Sequence, residues 1–250
     1  MEPYEYATLY QFENNYWWYR ALHAVLKDQV LRLIGPQTGC VLDAGCGTGQ
    51  NLISLSRVLD ARLFAFDYSS HAVPFLKTRG VANVCRASVN EVPYPSNTFD
   101  LVMCIDVLES QGVNVKQALA SLCRVVKPGG HLLLVVPAYE LLKSPEHHQA
   151  VHADKRFTLN SFAQNSVGLP LKTLRQTYFF TLLFPAIAVY RLWQRIFPSK
   201  NAQARSELHA LPGWINTLLF LMMKIEIALL GRIDFRFGSS ILLYYQKEPV

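Results

Sequence analysis

Cysteine is scarce and follows no pattern. Cys40, Cys46, Cys85, Cys104 and Cys123 are odd in number, scattered and never spaced C-x-x-C. That argues against a disulfide framework and against structural zinc. It leaves them as small buried hydrophobes in a reducing compartment. Charge is also thin, with 17% charged against 51% hydrophobic residues in 250, a balance that excludes a disordered chain. The opening MEPYEYATLYQFENNYWW has no basic start, no apolar run and no small-residue cleavage site. A secretory signal is therefore not expected, and the expected location is cytoplasmic. No repeat or low-complexity tract is present, and the length suits one large domain or a domain with a substantial insertion.

What charge there is lies unevenly. Residues 1–170 carry 14 Lys/Arg and 14 Asp/Glu, and Lys247 cancels Glu248. The net +6 therefore comes entirely from 171–236, where Lys172, Arg175, Arg191, Arg195, Lys200, Arg205, Lys224, Arg232 and Arg236 face Glu207, Glu226 and Asp234. The same segment is the most apolar of the chain. Basic and apolar together point to a membrane surface or an anionic amphiphile. Nucleic acid is not expected as a partner, because the aromatics here sit in aliphatic runs.

Residues 4–34 read as helix, with YWWYR at 16–20 and Leu22, Val25, Leu26 and Val30 at helical spacing before Gly35-Pro36. Strand and helix signals then alternate. CVLD (40–43), ARLFAFD (61–67), VANVCRASV (81–89), FDLVMCID (99–106) and HLLLVVPA (131–138) read as strands. LISLSRVL (52–59), the serine-capped SSHAVPFLKTRG (69–80) and VKQALASLCRVVKPGG (115–130), stopped by Pro-Gly-Gly, read as helices. A helix at about 158–167 and two late strands, LKTLRQT (171–177) and SSILLYYQK (239–247), complete the pattern. The alternation predicts an α/β fold, a parallel sheet with helices on both faces.

VLDAGCGTGQ (41–50) places Gly45, Gly47 and Gly49 directly after a strand. A dinucleotide fingerprint would need glycine where Gln50 stands, so the loop fits D/E-x-G-x-G-x-G instead. Asp43 would be awkward beside a pyrophosphate and suits a cofactor carrying positive charge. Asp67, ending the next strand, is placed to accept both hydroxyls of a ribose.

VLDAGCGTG, FAFD, VPYPSNTFDLVMCIDVLE and LCRVVKPGGHLLLVVP follow in order over residues 40–138. In them the chain resembles the class I S-adenosylmethionine-dependent methyltransferases. The resemblance implies a Rossmann-like seven-stranded sheet with one antiparallel strand and S-adenosylmethionine as cofactor. By motif position it implies Gly45, Gly47 and Gly49 along the methionine part, Asp67 on the ribose, Ser88 and Val89 at the adenine edge, and Ile105 and Asp106 beneath the cofactor. Asp43, Cys46 and Tyr68 complete that cofactor set. YWWYR, the stretch VPAYELLKSPEHHQAVHADKRFT (136–158) and the tail FGSSILLYYQK are similar to a narrower bacterial group with an HWWYR-like N-terminus, whose members act on small molecules, glycans or lipid-linked intermediates. The sequence departs from the family at Ser110, where histidine is common, and in HADKRF, which is one residue longer.

The expected organisation is an N-terminal helical lid (1–35), a cofactor-binding domain (36–178 with 237–250) and a basic, apolar helical insertion (179–236). CIDVLES lacks the Asn/Asp-Pro-Pro-aromatic pattern of enzymes that methylate amino groups of bases, which points toward oxygen or carbon acceptors. His148 and His152 in EHHQAVH follow the fifth strand. They read as solvated surface, as a general base, or as a contact to an anionic acceptor, and the family match favours His152. Tyr139 is a further candidate. A metal there lacks a third ligand at zinc spacing, so none is expected. Tyr16, Trp17, Trp18 and Tyr19 read either as a lid over a cation or as helix packing, and Arg20 as a contact to an anionic group.

A transmembrane helix needs about 20 predominantly apolar residues. In YFFTLLFPAIAVYRLWQRIF (178–197), Pro185 interrupts the run and Arg191 and Arg195 follow it. Arg191, Gln194 and Arg195 share one helical face, and Val189, Trp193, Ile196 and Phe197 share another, as in a helix lying at an interface. WINTLLFLMMKIEIALLG (214–231) is expected to pack against that segment or a partner. Two kinds of methyltransferase fit, one for a lipid-linked acceptor at the cytoplasmic membrane face and one for a soluble isoprenoid or polyketide. A non-catalytic cofactor-binding subunit is the alternative in kind, and the contacts expected of the insertion are an anionic membrane or a second copy in a homodimer.

Overall fold

The computed structural model describes residues 1–143, 150–196 and 210–249. Seven strands form one sheet: β1 (Gln37–Ala44), β2 (Asp60–Asp67), β3 (Asn83–Arg86), β4 (Phe99–Ile105), β5 (Val126–Pro137), β6 (Leu171–Phe179) and β7 (Ser240–Lys247). Their order is β3-β2-β1-β4-β5-β7-β6, and β7 runs antiparallel to both neighbours while the others are parallel. The expected α/β architecture, six parallel strands and one antiparallel, is the observed one.

Alternating residues of the central strands feed two apolar layers. Val41, Met103, Leu133 and Tyr244 face one side, and Leu42, Val102, Leu134 and Leu243 face the other. Strands buried on both faces need such near-continuous apolar runs. The helices α1 (Pro3–Phe12), α2 (Trp17–Ile34) and α3 (Gln50–Ser56) flank the sheet with α4 (Val73–Thr78) and α5 (Val115–Val125). After β5 come α6 (Leu159–Ala163), α7 (Phe184–Ile196) and α8 (Gly213–Leu230), the last two between β6 and β7.

The structure revises several expected boundaries. The N-terminal helix is two helices, broken over residues 13–16. The chain is extended at Tyr16 (φ −73°, ψ 132°), and the break turns the Glu13 side chain inward. The helix expected to run to Pro-Gly-Gly ends at Val125, because Val126 already pairs with Phe99 and Lys127–Gly130 belong to β5. The helix near 158–167 is only α6, closed by a capping box between Thr158 and Ser161.

The insertion differs most from expectation. Tyr178 and Phe179, the first residues of the apolar run, are buried in β6. α8 packs on α2 instead of on α7. Asn216 Oδ1 accepts from Trp17 N–H at 2.8 Å, and the Arg20 guanidinium lies 3.9 Å from the centre of the Phe220 ring. Buried Glu226 accepts from the Thr181 and Leu182 N–H groups at 3.0 and 2.8 Å, fixing the chain where it leaves the sheet. Residues 197–209, with Phe197, Lys200 and Arg205, lie outside the described set.

Candidate active site

The parallel strands end on one edge, and the strand order reverses between β1 and β4 there, the position where open α/β sheets bind ligands. β1 stops at Ala44 and the chain turns back into α3. The N–H groups of Gly45 and Cys46 both donate to Phe66 O, at 2.9 and 3.0 Å, tying this turn to β2. Gly45 has φ +79°, and a Cβ there would stand 2.5 Å from Val107 Cγ2, so only glycine lets the turn and the loop after β4 meet. Gly47 N–H donates to Asp67 Oδ2 at 2.8 Å. The other oxygen, Oδ1, accepts from Ser69 N–H at 2.9 Å and Tyr6 O–H at 3.2 Å. A carboxylate offers about four lone-pair sites, so Asp67 is fixed in place with acceptor capacity to spare.

Asp43 lies fully buried beneath the turn, and neither of its oxygens has a hydrogen-bond partner among the described residues. Burial raises its carboxyl from 3.8 to about 7, with the charge of Asp67 adding to the effect. An orphaned acid at that depth is what a cationic ligand above it would satisfy. The residues present therefore fit a cofactor that carries positive charge and a ribose.

A cavity of about 1120 Å³ opens from this turn. Single small-molecule sites occupy roughly 300–1,000 Å³, so it has room for a cofactor with an acceptor beside it. Gly45, Cys46, Gly47, Asp67, Tyr68, Ser88, Val89, Ile105 and Asp106 line it. Asp43 and Gly49 stand outside the lining, and a Cβ on Gly49 would meet Leu76 Cδ2 at 2.5 Å.

The roof comes from α1, the 13–16 break and the start of α2. Tyr16, Trp17, Trp18 and Tyr19 all line the cavity. Trp18 stacks on Phe180 with centroids 3.7 Å apart, and Trp17 meets both rings edge-on. The quartet thus packs and lines at once. Glu13 anchors the roof from within: it pairs with Arg79, both side chains being nearly inaccessible, and it accepts from Thr48 Oγ1. Arg20 is spent on Phe220 and does not line the cavity.

The lining also holds Asp106, Glu109, His152, Arg156 and, from α7, Arg191. Asp106 is open to the cavity although protein encloses it, and this enclosure pushes its carboxyl up toward about 7 against the pull of Arg156. Burial, then the neighbouring Asp106, raises Glu109 well above the ordinary carboxyl range. Its Oε2 has no partner among the described residues. Burial, then the like charge of Arg191, lowers Arg156 to about 10, and its Nη1 donates to Ala138 O at 3.0 Å. His152 Nε2 meets Glu2 Oε1 at 2.7 Å. Asp106, Tyr139 and His152 all hold left-handed φ values of 52–53°, a strain that clusters at functional sites. Tyr139 nonetheless stacks on Tyr178 outside the cavity lining, and His148 lies outside the described residues.

Glu2, Tyr6, Glu13, Glu109 and Arg156 were not singled out by sequence reasoning. Glu109 alone carried a usable signal, as an acid inside the apolar run CIDVLES. The fold buries Tyr6 and Glu13 and encloses Arg156, while Glu2 stays partly exposed and matters only through its contact with His152.

Residues 42–134 match the family model described as a methyltransferase domain. A malonyl-[acyl-carrier protein] O-methyltransferase from Herminiimonas arsenicoxydans is 39% identical over 95 residues, 38% of this chain and 35% of the relative. The ubiquinone/menaquinone biosynthesis C-methyltransferase of a Marinomonas species is 31% identical over 134 residues, 48% of this chain and 53% of the relative. The chain spans about half or less of the length of the curated relatives it matches. Among solved structures, the geranyl diphosphate C-methyltransferase of Streptomyces coelicolor overlays with a TM-score of 0.58 at 12% identity, over 91% of this chain and 80% of that one. At that identity the likeness concerns the fold alone. Residues 42–134, from β1 into β5, thus match a methyltransferase domain, and the sheet that carries them has the fold of solved methyltransferases.

Proposed function

We propose that this chain methylates an oxygen or carbon of an amphiphilic, lipid-linked acceptor with an acidic head, working at the inner face of a membrane. One observation carries the reading: the wall of glycines and acids that suits the cofactor shares a single cavity with Arg156 and Arg191 and with the apolar Trp17, Leu22 and Ile187. S-adenosylmethionine, when bound, supplies a methyl group on a sulfonium that the acceptor displaces in line.

The side chains divide the remaining work. Asp67 accepts from a ribose hydroxyl at the remaining site on Oδ2, and Asp43 offsets positive charge above the Gly45–Gly47 turn. Ser88 and Val89 border the adenine. The helices over 1–35 act as a lid, and Tyr16–Tyr19 exclude water and hold the acceptor in line, from which much of the rate of such a displacement derives. Arg156 and Arg191 hold the acidic head. His152 accepts the acceptor's proton at Nδ1, with Glu2 holding the ring through Nε2, an arrangement in which one group orients the base.

The test is incubation of the full chain with isotope-labelled S-adenosylmethionine and lipid extract, followed by identification of the labelled product. Label in a detergent-soluble amphiphile supports the reading. Label only in a water-soluble isoprenoid or polyketide, without lipid or detergent, replaces the acceptor class. Cofactor binding with no label in any fraction would return the chain to a non-catalytic binding subunit.

A further inference from the structure

α7 and α8 are amphipathic in the inverted sense. On α8 the polar Asn216 and Glu226 turn inward and are hydrogen-bonded to α2, the preceding break and the end of β6. The opposite side presents Trp214, Leu218, Leu221, Ile225 and Leu229, spaced so that all fall within one narrow stripe of the helix. Trp214 is 71% exposed and Ile225 60%. α7 repeats the arrangement. Arg191 faces the cavity and its Nη1 donates to Gln194 Oε1, whereas Val189 and Trp193, 68% and 61% exposed, face out. Of the 18 large hydrophobics exposed on the described surface, 12 fall between Leu182 and Phe237. Soluble proteins scatter such residues singly, and a concentration of them marks a contact surface.

We infer that the outer faces of α7 and α8 dock the protein on an anionic lipid bilayer. Charge selects the occupant. Lys224 on α8 and Arg232 and Arg236 just after it are exposed, in the segment 171–236 that holds all the net positive charge of the sequence. A second copy would bring the same positive field against it, which opposes self-association, whereas an anionic headgroup layer complements it. α8 has the length and hydropathy to cross a membrane, but its inner face is hydrogen-bonded to the protein, so it lies on the surface. Tyr190 of α7 is half exposed and also lines the cavity, so the docked face adjoins the place where an acceptor enters. That last point rests on the proposed methyl transfer; the docking itself does not.

The experiment is sedimentation of the full chain with vesicles of equimolar phosphatidylglycerol and phosphatidylcholine, beside vesicles of pure phosphatidylcholine. The expected result is binding to the anionic vesicles that weakens with salt. The double variant Trp214→Ser/Ile225→Ser should bind roughly tenfold less tightly. Lys224→Glu/Arg232→Glu should abolish the preference for phosphatidylglycerol. Unchanged binding of S-adenosylhomocysteine certifies each variant as folded, since none of these residues lines the cavity. Wild-type protein that stays in the supernatant, or variants that bind as well as wild type, overturns the inference. So does a dimer that the Trp214→Ser/Ile225→Ser change dissociates. A protein that ignores vesicles yet labels lipid extract in detergent would sink the docking and leave the reaction standing.

Discussion

Replacing Asp43 by asparagine should stabilise the ligand-free protein while weakening its hold on the cofactor. Folding takes the carboxyl from 3.8 to about 7, and at 1.36 kcal/mol per pKa unit this amounts to roughly 4 kcal/mol of destabilisation once the group is ionised in both states. The folded pKa is the higher one. The penalty is therefore absent below about pH 4, grows as pH rises, and is complete above about pH 7. Asparagine removes the charge but buries an amide where the structure offers Asp43 no partner, a cost of about 1–3 kcal/mol. The net gain at pH 8 is then about 2 kcal/mol, or roughly 4–8 °C in Tm for a chain of this size. Below pH 4 the gain should vanish or reverse. Denaturation across this pH range, paired with calorimetric titration of S-adenosylhomocysteine and S-adenosylmethionine, measures both halves. An Asp43→Asn protein with the same stability difference from wild type at pH 4 and pH 8 would refute the reasoning. Unweakened binding of S-adenosylmethionine would refute the role assigned to the charge.

Asp67→Asn should weaken S-adenosylhomocysteine roughly 10- to 100-fold, because a charged acceptor is lost, and calorimetry reads this directly. His152→Gln should lower kcat by about 10²- to 10⁴-fold with little change in KM, and Glu2→Gln should lower it less; equal effects on KM and kcat would assign both residues to binding instead. Glu226→Ala strands the N–H groups of Thr181 and Leu182 and should cost about 2–6 kcal/mol by urea denaturation, at about 1–3 kcal/mol for each.

The sheet was legible because its signals are local. Apolar runs of strand length, a glycine turn after the first and an acid at the end of the second follow from near neighbours in sequence. The roof was not legible. Nothing in EYATLYQFE marks Tyr6 as a donor to Asp67 or Glu13 as the partner of Arg79, since both partners lie far along the chain. The insertion was half legible. Helical spacing separated the Arg191 face of α7 from its Val189 face, but spacing cannot say which face turns inward. For α8 the deciding contacts, Asn216 with Trp17 and Phe220 with Arg20, are made with a helix almost 200 positions earlier.

That separation has a kinetic consequence. The N-terminal helices, the proposed lid, are held by Asp67, Arg79, His152 and Asn216, and the last of these is 199 positions beyond Trp17, whose N–H it accepts. Contacts of such span reward the chain only after a long loop has closed, so the lid must wait, unseated, until α8 has been made and placed. Its aromatic cluster stays wet through that interval. Refolding followed by tryptophan fluorescence, with Trp17 and Trp18 as reporters, should then show the sheet forming before the lid seats, with the seating phase slowed by any change that loosens α8.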